Sequence, residues 1–172
     1  VLTTAITVIV NAAPLLTVPD TVVLCEDGDT LLSIEVEGGG PFEYEWSLLP
    51  DFGILLSEDS TLTADLNGLQ NRRYFVRVTD ANGCISAIDS ILVGNFGANL
   101  LASDAVEICI GDTIQLEAFN LNPGDTLAYD WDPDTDIIGP DNNATVLVAP
   151  GESTNFQVQG TNQFGCTATA TS

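Results

Sequence analysis

The stretch Val76-Arg77-Val78-Thr79-Asp80-Ala81-Asn82-Gly83-Cys84 decides the reading of this chain, because a second copy, Val158-Gln159-Gly160-Thr161-Asn162-Gln163-Phe164-Gly165-Cys166, returns 82 positions later. Each copy carries alternating apolar residues into a polar, Asn- and Gly-bearing turn, then a cysteine that opens a Thr/Ala/Ile-rich run. That pattern predicts a β-hairpin. The 172 residues therefore read as a tandem repeat of two units, each of roughly 80 residues. Units of that size bury modest cores and usually need staples.

Working outward from the hairpins, Leu16, Asp20, Val22 and Cys25 match Leu100, Asp104, Val106 and Cys109 and predict the first strand of each unit. Gly28-Asp29-Thr30 and Gly111-Asp112-Thr113 are turns into the next strands. Their inward residues are Leu32, Ile34 and Val36 in one copy and Ile114, Leu116 and Ala118 in the other, with polar residues between. Gly38-Gly39-Gly40-Pro41 then breaks the chain, and Phe42, Tyr44, Trp46 and Leu48 alternate with Glu43, Glu45 and Ser47. This places Trp46 as the core plug, with Trp131 as its counterpart. Strands around Leu62 to Leu66 and Val146 to Val148 precede the hairpins, in which Tyr74, Val76, Val78, Phe156 and Val158 face inward. The expected fold class is all-β: two tandem antiparallel sandwiches.

Composition excludes several functions. Three Arg, no Lys and 25 Asp+Glu leave a formal charge of −22, which repels nucleic acid and anionic membrane. With no His, Ser-His-Asp and Cys-His catalysis cannot be built, and with no Lys there is no Schiff-base nucleophile or isopeptide crosslink. The chain is not expected to be an enzyme. Arg72, Arg73 and Arg77 are expected to pair with nearby carboxylates, as surface pairs that stabilise little.

The four cysteines fall one pair per repeat. Three connectivities are open, and only Cys25 with Cys84 and Cys109 with Cys166 places an equivalent bond in both units. Two such intradomain disulfides would each contribute on the order of 4 kcal/mol and imply an oxidising, extracytoplasmic setting. There is no secretion signal at the start and no apolar run long enough to span a membrane, so a mature or excised piece is expected.

Val1 to Val10 (VLTTAITVIV), followed by Asn11-Ala12-Ala13-Pro14, repeats the texture of Cys84 to Val93 (CISAIDSILV), followed by Gly94-Asn95-Phe96-Gly97. The expected layout is residues 1–13 as a closing or donor strand of a preceding or neighbouring sandwich, 14–95 as the first sandwich, and 96–172 as a second whose last strand is incomplete. Two arrangements fit: one window on a longer array, or separate chains joined head to tail by β-augmentation. Either way, an unpaired apolar strand invites association.

Cys25…Trp46…Cys84 and Cys109…Trp131…Cys166 resemble the Cys…Trp…Cys spacing of immunoglobulin sandwiches. The second cysteine departs from that pattern, following a turn where the antibody cysteine lies within its strand, so the expected bond clamps one end of the sandwich. The combination Asp29-Thr30, Tyr44-Glu45-Trp46-Ser47 and Val78 to Cys84 is similar to the PKD-like/Ig-like repeats of very large Bacteroidota cell-surface proteins, and Trp131-Asp132-Pro133 with Phe164-Gly165-Cys166 resembles a sister subtype. The resemblance spans roughly residues 15 to 172. It implies stalks of secreted, gliding-type adhesins exported by the type nine system, or accessory modules beside secreted enzymes, and no catalytic residues. It also implies O-glycosylation at Asp-Ser/Thr motifs, matched here by Thr21, Thr30, Ser60, Ser90, Thr113 and Thr126. For Thr30 and Thr113, a plain turn opening a strand explains the residues equally well.

Asp132, Asp134 and Asp136 put three carboxylates at alternate positions, a set able to take calcium, although the glycine and glutamate of an EF-hand loop are missing. A solvated acidic loop is the competing reading; no other cofactor is expected. Glu26, Asp27 and Asp29 form a second acidic group that the other repeat lacks, and nothing defines a cleft for the two acids of a glycosidase. The function expected is a structural repeat segment of an extracellular filament or adhesin stalk. Its partners would be copies of itself or adjacent repeats, head to tail, with no nucleic acid and no direct membrane insertion. The alternative is a non-catalytic module binding a surface glycan or calcium within a secreted protein.

Overall fold

The computed structural model describes residues 6–171, in two compact units, Val1–Asn95 and Phe96–Ser172. Among the described residues there are strands and one short 3-10 turn but no α-helix, and no helix long and apolar enough to cross a membrane. Of the N-terminal strand expected over Val1 to Val10, the first five residues lie outside the described part, and residues 6–10 belong to no strand.

Unit 1 contains β1 (Leu15–Thr17), β2 (Thr21–Leu24), β3 (Asp29–Ser33), β4 (Glu35–Glu37), β5 (Glu43–Ser47), β6 (Leu55–Ser57), β7 (Thr61–Asp65), β8 (Asn71–Thr79) and β9 (Asp89–Asn95). A five-stranded sheet runs β2-β9-β8-β5-β6, and the pairs β1-β4 and β3-β7 supply the other strands. The single first strand expected from Leu16 to Cys25 is two. Pro19 has no N–H to give a ladder, so β1 pairs with β4 while β2 crosses to lie parallel to β9, Thr21 opposite Leu92 through Leu24 opposite Asn95. The run from Leu32 to Val36 likewise divides at Ile34: Leu32 faces Leu62 of β7 and Val36 faces Leu16 of β1.

The alternation in β5, β8 and β9 buries one face of each. Trp46, Val76, Ile91 and Val93 are fully buried, packed with Leu32 and Leu62. Trp46 also satisfies its indole N–H on the Asp59 carbonyl at 3.0 Å. The Tyr74 hydroxyl donates to the Asp65 carbonyl and accepts the Asp65 backbone N–H at 3.0 Å, which ties β8 to the end of β7.

Unit 2 contains β10 (Leu100–Ala102), β11 (Ile114–Asn120), β12 (Leu127–Asp132), a 3-10 turn (Asp134–Asp136), β13 (Ile137–Ile138), β14 (Thr145–Val148), β15 (Gln157–Asn162) and β16 (Thr167–Thr171). Its sheets are β10-β11-β14-β13 and β12-β15-β16. Trp131 fills the core against Val148, Val158, Phe156 and Leu116, and its N–H donates to the Asn143 carbonyl at 2.9 Å. Gly160 stands where unit 1 has buried Val78. A Cβ there would come within 3.1 Å of Leu127 and 3.3 Å of Leu100, so the bare backbone lets both leucines close over β15.

Both hairpins use one local device. Asp80 N–H donates to the Cys84 carbonyl at 3.0 Å and Asn162 N–H to the Cys166 carbonyl at 2.9 Å. Gly83 and Gly165, at φ +79° and +83°, take the left-handed conformation that the turn requires.

The expected disulfide pairing is not the one the structure carries. Cys84 and Cys109 are free thiols, and the disulfide-bonded cysteines are Cys25 and Cys166. Strand direction is the reason. Because β2 runs parallel to β9, Cys25 emerges beside Asn95, whereas Cys84 precedes the opposite end of β9. That separation is roughly 20 Å at the rise of a β-strand, against the ~7 Å that a disulfide can bridge. In unit 2, Cys166 sits at the Asn162 end of β15, while Cys109 shares a groove with residues 153–156, beyond the other end.

Candidate functional site

Neither acidic cluster forms a metal centre. Asp132 ends β12, and Asp134 and Asp136 lie in the 3-10 turn that follows. Among the described residues no group of three or more His, Cys, Asp or Glu side chains is placed to hold an ion. Of Glu26, Asp27 and Asp29, Asp27 instead accepts the Asn95 side-chain N–H at 2.9 Å.

The arginines are spread along β8. Arg77 grips Glu45 across the β5–β8 pair through Nε at 2.5 Å and Nη2 at 3.0 Å, and its guanidinium lies 4.3 Å from the centre of the Phe52 ring. The Arg77 hydrogen bond holds the Glu45 carboxyl below its ordinary 4.5, against a smaller opposing effect of burial. Arg72 meets Asp65 at 3.3 Å, and Arg73 donates to the Ser90 hydroxyl at 3.0 Å. Of the glycosylation candidates, Thr21, Ser60, Thr113 and Thr126 are exposed, while Thr30 and Ser90 are half-buried.

The hairpin corner carries a charge in one unit only. Asp80 Oδ1 accepts the backbone N–H of Cys84 at 2.8 Å and of Asn82 at 2.9 Å. These bonds, led by that of Cys84, hold the Asp80 carboxyl below its ordinary 3.8. In unit 2, Asn162 Oδ1 accepts the N–H of Cys166 and of Phe164, both at 3.0 Å, and its amide N–H reaches the Phe96 carbonyl at 2.6 Å.

The feature with the clearest capacity for interaction is an edge of unit 2. In unit 1, β9 lies between β2 and the first half of β8, with Tyr74 opposite Ile91 and Arg72 opposite Val93. The matching positions in unit 2 are residues 105–108 and 153–156, and neither set is in a strand. They line a groove of about 730 Å³ floored by Ile114, Leu116 and Val148. At the other end of the chain, Ile6, Val8, Ile9 and Val10 are exposed. The groove, its apolar floor and the free thiol of Cys109 on its lining depend on how β11, β14 and β15 pack.

No protein-family description matches the chain, and no curated protein matches it. Among solved structures it is similar to the fibronectin(III)-like modules of Clostridium thermocellum CbhA, with a TM-score of 0.47 and 13% identity over 91% of this chain and 92% of that one. It is also similar to the D00-D0 domain of intimin (TM-score 0.42, 12% identity, 91% and 96% of the two chains). A third similarity is to SGBP-B of the Bacteroides ovatus mixed-linkage glucan utilization locus, solved with a mixed-linkage heptasaccharide (TM-score 0.37, 13% identity, 93% of this chain and 46% of that one). By its own strand order and cores, the chain is an all-β protein of two immunoglobulin-like sandwich units.

Proposed function

We propose that this chain is a structural segment of an extracellular filament or adhesin stalk, joined head to tail to copies of itself or to adjacent repeats by β-strand donation. The observation that carries the reading is the unit 2 groove, at positions whose counterparts in unit 1 are covered by β9. An open sheet edge over apolar side chains recruits a further strand, and exposed residues 6–10 have the composition of one. Two separate cores without imidazole or amine side chains suit a spacer, not a catalyst. Disulfide-bonded Cys25 and Cys166 suit an oxidising location outside the cytoplasm.

The test is sedimentation velocity with electron microscopy of the chain over a concentration series. Linear oligomers that lengthen with concentration are expected. A monomer at every concentration that instead binds a glycan array, or melts higher with calcium, would replace this reading with that of an accessory binding module.

A further inference from the structure

The chain contains two Asn-Gly dipeptides, Asn67-Gly68 and Asn82-Gly83, both in unit 1 and flanking β8 at its two ends. Asn-Gly is the dipeptide most prone to deamidation, because glycine has no side chain to hinder its nitrogen from reaching the preceding side-chain amide. All four residues are exposed, and a Cβ on either glycine would meet nothing within 4 Å. By sequence and exposure the two sites are equal. The hydrogen bonds around them are not.

Asn67 and Gly68, at φ +47° and +76°, are the central pair of the turn between β7 and β8. One hydrogen bond closes it, from the Leu69 N–H to the Leu66 carbonyl at 2.9 Å. Among the described residues, neither the Asn67 side chain nor the Gly68 N–H has a partner. At the other end of β8, the Gly83 N–H donates to the Asp80 carbonyl at 3.0 Å, so the nitrogen that would attack is itself engaged. Asp80 Oδ1 takes the N–H of Asn82 and of Cys84, at 2.9 and 2.8 Å, and the Asp80 N–H closes the corner on the Cys84 carbonyl at 3.0 Å. Asp80 Oδ2 also holds the Asn82 side-chain amide, the leaving group, at 3.5 Å. Ring closure swings the glycine nitrogen onto the asparagine Cγ, a rotation that opens the turn. One backbone N–H bond breaks at Asn67, and four break at Asn82.

We propose that Asn67 is a self-modification site of unit 1, converting to aspartate and isoaspartate, and that the Asp80 corner protects Asn82 from the same reaction. The Gly68 nitrogen loses its proton to solvent hydroxide and bonds to Asn67 Cγ, and the Cγ–Nδ2 bond breaks as ammonia leaves. Water then opens the cyclic imide at one carbonyl or the other. Either opening leaves a carboxylate, and one of them lengthens the backbone by one carbon. The net change takes up water, releases ammonia and needs neither oxidant nor enzyme. Leu66 is 3% exposed and packed in the core, so the added carbon falls within residues 67–70 and removes the bond from Leu69 to Leu66. Because ammonia is lost to solvent, the isoaspartate fraction at this turn records how long a chain has stood in water.

The experiment incubates the full-length chain in warm, mildly alkaline buffer and follows both sites by peptide mapping, with fragmentation that separates isoaspartate from aspartate. Asn67 is expected to convert about a hundredfold faster than Asn82, because three further backbone hydrogen bonds must break at the corner. In concentrated urea the two sites should convert at equal rates, since the fold alone separates them. Asp80→Ala removes the carboxylate bonds and should speed conversion of Asn82 about tenfold, with Asn67 unchanged. Equal rates in the folded chain, or conversion of Asn82 first, would overturn the assignment. So would a folded chain in which neither site converts although both do in urea. Acceleration of both sites alike by Asp80→Ala would trace the protection to the stability of unit 1 as a whole and overturn the role of the corner.

Discussion

Asp80 and Asn162 occupy the same corner of their units, and each takes two backbone N–H groups on one side-chain oxygen, one of them from the cysteine four residues on. The turn needs an acceptor there, not a charge. Further along the same strands the units part. β8 continues from Val76 back to Asn71 with β9 alongside, whereas β15 begins only at Gln157, and residues 153–156 border a groove. Identical hairpins thus follow a nine-residue strand in one unit and a six-residue strand in the other. Local turn chemistry sets the corner, and the next strand along sets the edge.

The largest test of that comparison lies in the cores. Trp46→Ala and Trp131→Ala should each cost about 3–5 kcal/mol in denaturant unfolding, with hydrogen-exchange protection lost first in the unit that carries the change. Equal loss in both units would break the description of two separate cores.

Next come the corners. Asn162→Ala strands the N–H groups of Phe164 and Cys166 and should cost about 1–3 kcal/mol at any pH. Asp80→Ala should destabilise unit 1 in a pH-dependent way. The folded carboxyl titrates below its ordinary 3.8, so its stabilisation is complete above that value and disappears as pH falls through the lower folded pKa. Asp80→Asn, which installs the residue of unit 2, should remove this dependence while keeping the turn. Melts from pH 2 to 7 that still show it would assign it to another acid.

The open edge predicts that amides of residues 153–156 exchange at least tenfold faster, about 1.4 kcal/mol, than those of Asn71 to Tyr74 in a monomeric sample. Equal rates would mean that the groove is already covered. Tyr74→Phe, which copies Phe156, should cost about 1 kcal/mol by removing the hydroxyl that Asp65 uses. Smallest is Arg77→Ala, about 0.5 kcal/mol and less in high salt, because the pair with Glu45 is partly solvated.

Much of the site was legible, and the illegible part has a specific cause. The duplicated hairpin and the two tryptophans could be read because each depends on residues close together in the chain. The disulfide pairing could not. It was inferred from symmetry between repeats, whereas β2 runs parallel to β9 and carries Cys25 away from Cys84. Asp132, Asp134 and Asp136 suggest a ligand set by their alternate spacing alone, and the chain passes there from the end of β12 into a 3-10 turn.

The amino-acid sequence by itself determined the repeat, the strand-forming segments, the buried faces and the turn corners, since periodicity, glycine conformation and side-chain-to-backbone hydrogen bonds act over a few residues. Only the tertiary structure decided which strands are neighbours, where the first strand changes sheet, which cysteines stay free and where an edge is left uncovered. Those outcomes depend on strand direction and on contacts between residues far apart in the chain, which no local pattern encodes.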